Sequence, residues 1–266
     1  MKHLLTIAGS DCSGGAGIQA DLKTFSALGT YGMSVITAIT AQNTQGVDAI
    51  VEIDNTMVKA QIDAIFKDIA VHAVKVGMVS NREIIAQISK SLLEWLPPFV
   101  VVDPVMVSTS GHHLLKPEAK TTLIEDLFPI ATIITPNIPE AEVILDRKID
   151  DIEDMEEAAK AIYNLGPKGV LVKGGHLLGD AVDVFFDGTT ITKFTSPRIH
   201  KTNTHGTGCT LSSAIATHLA LEFDLLTSIR KSKDYVTKAI DCGLEIGKGD
   251  GPLHHFHHLY PSIDTD

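Results

Sequence analysis

Residues 205–214 read HGTGCTLSSA and set Cys209 directly after Gly206 and Gly208. Thr210, Leu211, Ala214, Ile215 and Leu219 then follow at helical spacing. A glycine turn feeding a helix leaves the first N–H groups without intrahelical acceptors, under the positive end of the dipole, and so forms an anion hole. The same helix end lowers a thiol pKa. A proton acceptor beside a bound anion is one role open to Cys209. A nucleophile, a metal ligand, a redox switch and a small buried residue are the other roles open to a cysteine there.

Other reactive side chains fall at the ends of apolar runs. Asp103 follows the apolar run Phe99–Val102. A carboxylate buried there unpaired costs several kcal/mol, so it needs a cation, a metal or strong donors. Asn137 and Glu140 form N-x-x-E at a helix start. Glu140 either serves the helix dipole or joins Asp103 in organising water around magnesium, an ion that takes few protein ligands. Lys173 ends another run and is either a phosphate-binding cation or a snorkelling surface lysine. Gln42 and Asn43 either meet a heterocycle edge or cap a loop. Gly14, Gly15 and Gly17 make a second glycine turn, for an anion or for close approach. They match neither the Rossmann nor the Walker spacing.

These residues need a scaffold that brings strand ends together. Runs at 3–9, 33–41, 72–79, 99–107, 131–137 and 168–175 are short and nearly all apolar, as befits strands buried on both faces. Helical spacing separates them: Val58, Ile62, Ile65, Phe66 and Ile69 in one segment, and Ile84, Ile85, Ile88, Leu92 and Trp95 in another. Alternating strands and helices predict a mainly parallel sheet with helices on both faces. Residues 181–194 alternate around Asp187-Gly188 and predict a small antiparallel hairpin. A helical tail is expected from about Thr207 to Ile246. No linker or repeat divides the chain, so one domain over 1–266 is expected. In such sheets ligands bind beyond the carboxyl ends of the strands.

The 266 residues are 44% hydrophobic and 21% charged, with 5% aromatics, so aliphatic packing must dominate the core. A formal net charge of −11 argues against nucleic-acid binding. No run reaches a membrane-spanning length, and the N-terminal apolar run is too short for a signal peptide. The odd cysteine count, Cys12, Cys209 and Cys242, favours a reducing, cytoplasmic setting. Cys12 is expected in a turn and Cys242 in a helical core.

The ordered set TIAGSDCSGGAGIQADLKTF, TAITAQNT, VKVGMV, VVVDPVM, ITPNIPEAE, VLVKGGH, NTHGTGCTLSSAIA and GPLHHFHHLY resembles the hydroxymethylpyrimidine/phosphomethylpyrimidine kinases of thiamine biosynthesis, in the ribokinase-like superfamily. The resemblance covers nearly the whole chain. It implies a three-layer α/β fold without a large lid, ATP and Mg2+ as cofactors, a small pyrimidine as substrate and a homodimer. It implies that Gly9, Asp21, Gln42, Met78 and Val105 border the pyrimidine. By the same resemblance Asp103 and Glu140 serve the metal; Asn137, Lys173 and Thr207 serve the nucleotide; and Gly206, Gly208 and Cys209 are catalytic, Cys209 standing where the superfamily usually has an aspartate base. Pyridoxal or pyridoxine kinase activity is the alternative.

If Cys209 takes a proton, Cys209→Ala should harm the first phosphorylation, of an alcohol, far more than the second, of an already ionised phosphate ester. Two rivals stand beside the kinase. A thiol hydrolase would pair Cys209 with His205, but no orienting carboxylate is evident. A non-catalytic binder would have no need of Asp103, Glu140 and Cys209 together. The four histidines of His254–His258 invite a metal, but packing at the end of the last helix is the preferred reading.

Overall fold

The computed structural model describes residues 1–106, 114–175, 180–199, 201 and 203–260. The chain begins with β1 (His3–Asp11), α1 (Gly17–Ala27), β2 (Tyr31–Asn43), β3 (Gly46–Glu52) and α2 (Asn55–Phe66). Next come β4 (Ala73–Val76), α3 (Arg82–Trp95), β5 (Val100–Val102), α4 (Ala119–Thr122), β6 (Ile133–Ile134), α5 (Ile138–Leu145) and α6 (Ile152–Tyr163). It closes with β7 (Val170–Val172), β8 (Ala181–Phe186), β9 (Ile191–Ser196), α7 (Thr207–Ala220) and α8 (Leu225–Asp241).

Among the described residues nine strands join one sheet in the order β3-β2-β1-β4-β5-β6-β7-β8-β9. The strands from β2 to β7 pair in parallel, while β3, β8 and β9 pair antiparallel. The absence of polar alternation in the central runs has a direct structural cause. Successive residues enter opposite cores: Leu5, Val74, Val102 and Ile134 face one cluster, and Leu4, Ala73, Val101 and Ile133 the other. The first core lies under α2, α3 and α6; the second lies under α1, α7 and α8.

The 181–194 hairpin is β8 and β9, turning at Gly188 with φ 95. The strand β3 is an addition that the periodicity does not reveal. It makes Gln42 and Asn43 the end of β2, paired with Val47 and Gly46, and not a loop. The helical tail is two helices. Asp224 caps α8 by accepting from Thr227 N–H, and α8 stops at Asp241. Cys242 is therefore an exposed C-cap and not a core residue. Gly251 and Pro252 do not end that helix; His205 N–H donates to Gly251 O, and Leu244 N–H to Pro252 O. The tail thus braces the loop before α7. His255 is buried behind α7, its Nε2 3.0 Å from Thr210 Oγ1, and burial holds its pKa down to about 3. Among the described residues no group of three His, Cys, Asp or Glu side chains could hold a metal. No described helix is long and apolar enough to cross a membrane.

Candidate active site

A cavity of about 680 Å³ opens beyond the carboxyl ends of the parallel strands. Its floor is the start of α7. Gly206 caps that helix with φ 84, and a Cβ on it would lie 1.9 Å from Gly15 O, so the two glycine turns touch backbone to backbone. Thr207 N–H donates to Thr204 O, and its hydroxyl does the same. The first intrahelical bond is Thr210 N–H to Gly206 O. Of the Gly206–Cys209 N–H groups, none has a helical acceptor, and that of Thr207 is taken by Thr204 O.

The other glycine turn is not an anion hole. Asp11, at the end of β1, accepts from Ser13 N–H, Ser13 Oγ–H, Gly15 N–H and Ala16 N–H. His205 Nε2 is 2.8 Å from its Oδ2. Burial opposes ionisation, but these donors hold the Asp11 carboxyl far below the usual carboxylate range. The N–H groups of Ser13, Gly15 and Ala16 are satisfied by this side chain, and that of Gly14 by Asp11 O.

Beside the cradle stands an ion pair. Lys173 Nζ is 2.8 Å from Asp103 Oδ1, which also accepts from Thr135 Oγ at 3.1 Å. A Cβ on Gly208 would lie 3.2 Å from Lys173 Nζ and 3.3 Å from Asp103 Oδ2, so a bare backbone lets the cradle close on the pair. Burial works against both charges. Lys173 and Lys75 nevertheless hold the Asp103 carboxyl low, and Asp103 and Glu140 hold the Lys173 amine high. Asn137 and Glu140 form a reciprocal capping box at the start of α5, Asn137 N–H to Glu140 Oε2 and Glu140 N–H to Asn137 Oδ1, both at 2.8 Å. Burial, with Asp103 nearby, pushes the Glu140 carboxyl up to about 7.

Cys209 differs from its sequence-based reading. The Gly17 N–H, at the first residue of α1, favours the thiolate. Yet burial pushes the thiol up to about 11, reinforced by Asp21 and Asp103 and only partly offset by Lys75. Desolvation outweighs the helix ends. The direction of this shift favours the neutral thiol over the thiolate at the half-buried cavity wall.

Gly9, Gln42, Met78, Val105, Asp103, Asn137, Glu140, Lys173, Gly206, Thr207, Gly208 and Cys209 all line the one cavity. A Cβ on Gly9 would meet Met78 Cε at 3.1 Å, so that wall is close-packed. Asp21 does not join them. It is fully buried and takes hydrogen bonds from Lys75 Nζ, Thr6 Oγ and Ser213 Oγ.

Sequence reasoning passed over Asp11 and the pair Asp183–Lys233, whose atoms approach to 2.5 Å in the far half of the cavity, beside Val236 and Ile240 of α8. It also passed over Lys75, although a lysine inside the apolar run HAVKVGMV signals a buried cation in need of a carboxylate.

The family pattern described as phosphomethylpyrimidine kinase matches residues 11–254. A hydroxymethylpyrimidine/phosphomethylpyrimidine kinase of Rhizobium meliloti (strain 1021) is 54% identical over 257 residues, 95% of this chain and 96% of that protein. The crystal structure of a phosphomethylpyrimidine kinase from Clostridium difficile 630 superposes with a TM-score of 0.81 at 54% identity, over 90% of this chain and 100% of that one. An ADP complex of Bacillus subtilis pyridoxal kinase superposes with a TM-score of 0.90 at 40% identity, over 96% and 97%.

Proposed function

The chain belongs to the phosphomethylpyrimidine kinase family, and from that premise we propose how the residues around Cys209 divide its work. The enzyme phosphorylates 4-amino-5-hydroxymethyl-2-methylpyrimidine and then the resulting monophosphate, with ATP as co-substrate, in thiamine biosynthesis. Pyridoxal kinase activity, the alternative, is supported by likeness of fold alone.

Phosphoryl transfer asks a protein mainly to position groups and to stabilise charge. The N–H groups of Gly208 and Cys209 hold the migrating phosphoryl group. Lys173, kept charged by Asp103 and Glu140, adds a cation beside it. Asn137 and Thr207 border the nucleotide phosphates; Gly9, Gln42, Met78 and Val105 border the pyrimidine. Magnesium fits this donor set through water: Glu140, whose charge is disfavoured by burial and by Asp103, would lose that penalty beside a divalent cation. Asp103 and Glu140 would hold the ion, which supplies charge neutralisation on the phosphate oxygens when bound. Asp21 acts through its charge beneath Cys209 and not by touching substrate.

The raised thiol pKa carries the reading of Cys209. A neutral thiol has no lone pair basic enough to take the alcohol proton, so the proton passes to an oxygen of the transferred group as the new O–P bond forms and the bond to ADP breaks. Cys209 then serves as a small side chain whose backbone N–H completes the cradle. Single-turnover rates of Cys209→Ala with both acceptors test this. Equal losses of about tenfold or less are expected; loss confined to the first phosphorylation would make the thiol the base. A product assay with ATP-Mg and the hydroxymethylpyrimidine, its monophosphate and pyridoxal separates the two kinase readings.

A cytoplasmic homodimer also belongs to this reading. The free thiols Cys12, Cys209 and Cys242 support a reducing compartment, and the exposed apolar side chains Ile39, Val51 and Met57 offer a surface to a second copy.

A further inference from the structure

Lys173 stands where the sheet releases its chain. β7 pairs antiparallel with β8 through Val170 and Phe186, Leu171 and Phe185, and Val172 and Val184, and it ends at Val172. One more step in that register would set Lys173 opposite Asp183. Instead, Gly174 N–H donates to the side chain of Asp183, at 3.0 Å from Oδ1 in a buried contact. A carboxylate thus takes the place of a ladder carbonyl.

The residues after Lys173 make that contact consequential. Gly174 and Gly175 carry no side chains to restrict their torsions. Glycine is required at 174, where a Cβ would lie 1.9 Å from Val182 O. The close approach of β8 therefore leaves a pliable chain directly after the cation. Two hydrogen bonds hold it. Lys173 N–H donates to Pro136 O at 2.8 Å, and Gly174 N–H donates to Asp183. Together they fix the peptide groups on both sides of the Lys173 Cα. From there the side chain reaches Asp103 Oδ1 at 2.8 Å, and its Nζ lies 3.2 Å from a Cβ built on Gly208.

Asp183 lines the same cavity, where an uncompensated carboxylate would repel a nucleotide phosphate. Lys233 of α8 cancels that charge. Its Nζ is 2.5 Å from Asp183 Oδ2 and 3.2 Å from Ala181 O. The two carboxylate oxygens divide accordingly: Oδ2 meets the counter-ion, and Oδ1 is left for the Gly174 N–H.

We propose that Asp183 is a positioning residue for Lys173: its carboxylate, neutralised by Lys233, anchors the Gly174 N–H and so aims the Lys173 ammonium at the phosphate cradle. The proposal rests on Lys173 being the cation beside the migrating phosphoryl group. A reacting group is only as well placed as the groups that hold it, and a displacement of about 1 Å can cost about 10²-fold in rate.

The test separates the hydrogen bond from the charge. Asp183→Ala combined with Lys233→Met removes both charges and the acceptor for Gly174. Asp183→Asn combined with Lys233→Met removes both charges and keeps an amide oxygen for Gly174. Neither pair of substitutions leaves a buried ion without its partner. Each is made in the full chain and again with Lys173→Met, and kcat and KM are measured with ATP-Mg and the hydroxymethylpyrimidine. The alanine pair should lower kcat by about 10- to 100-fold and leave KM for the pyrimidine within about twofold. The asparagine pair should regain most of that loss. With Lys173→Met the alanine pair should cost about twofold or less, because the side chain it places is gone. Asp183→Leu with Lys233→Met carries the test if the alanine pair does not fold. An alanine pair as active as the parent, an asparagine pair as damaged as the alanine pair, or the same fold-loss with and without Lys173 overturns the proposal. Lys173→Met as active as the parent sinks the reading of Lys173 beneath it, whatever the Asp183 variants do.

Discussion

Lys75 and Asp21 form an ion pair at 2.9 Å with both side chains fully buried, and Lys173 and Asp103 form another at 2.8 Å with 14% and 2% of their side chains exposed. Both pairs act on Cys209. In the first, Thr6 and Ser213 donate to the Asp21 carboxylate, and neither Asp21 nor Lys75 lines the cavity. In the second, the amine and the carboxylate stand at the cavity wall, against the backbone of Gly208. The same two residue types thus serve different ends. A sealed pair fixes α1, β4 and α7 together; an open pair presents charge to a ligand. Access decides which, and the residue types do not.

Breaking one partner of each pair should separate them. Lys75→Met leaves the Asp21 charge buried and unpaired, and should lower stability by about 3–5 kcal/mol, read by chemical denaturation. Lys173→Met leaves Asp103 able to draw water from the cavity. It should lose less stability but about 10²–10³-fold in kcat, read by steady-state kinetics. If the two variants exchange these outcomes, the division into sealed and open pairs is wrong.

A smaller effect sharpens the same contrast through Glu140, the carboxylate beside the open pair. Its folded pKa of about 7 lies above the ordinary 4.5. The folded chain therefore holds a proton that the unfolded chain releases, and this stabilisation is full below about 4.5 and lost as pH rises through about 7. Glu140→Gln keeps the capping box and has no proton to lose. Without magnesium or nucleotide it should match the parent near the acid end of that window and exceed it by about 1–3 kcal/mol on the alkaline side. Denaturation curves with no pH-dependent difference would mean that the Lys173 charge compensates Glu140 fully.

How much of this was legible depends on which forces leave a trace in sequence. The central strands announce themselves because both faces are buried. β3 does not, because it is an edge strand with no fully buried residue, interrupted by Asp48 and Glu52. The capping box of Asn137 and Glu140 is a local pattern and is readable. The helix start at Cys209 is readable too, but the sign of its thiol shift is not. That sign depends on burial and on the charges of Asp21, Asp103 and Lys75 around the thiol, which only the packed chain fixes. Asp21 lies on α1 only a short way past the glycine turn, yet helical phase turns it inward to Lys75. His205 and Asp11, 194 positions apart in sequence, meet because two glycine turns touch.

Helix α7 is buried at every residue from Thr210 to Ala220, on all sides. Its amides can exchange with solvent only when one of the covering layers opens. The free energy that takes the body of this helix apart therefore approaches that of unfolding the whole fold. Whatever moves during turnover must move relative to this helix, which serves as the fixed frame of the reaction.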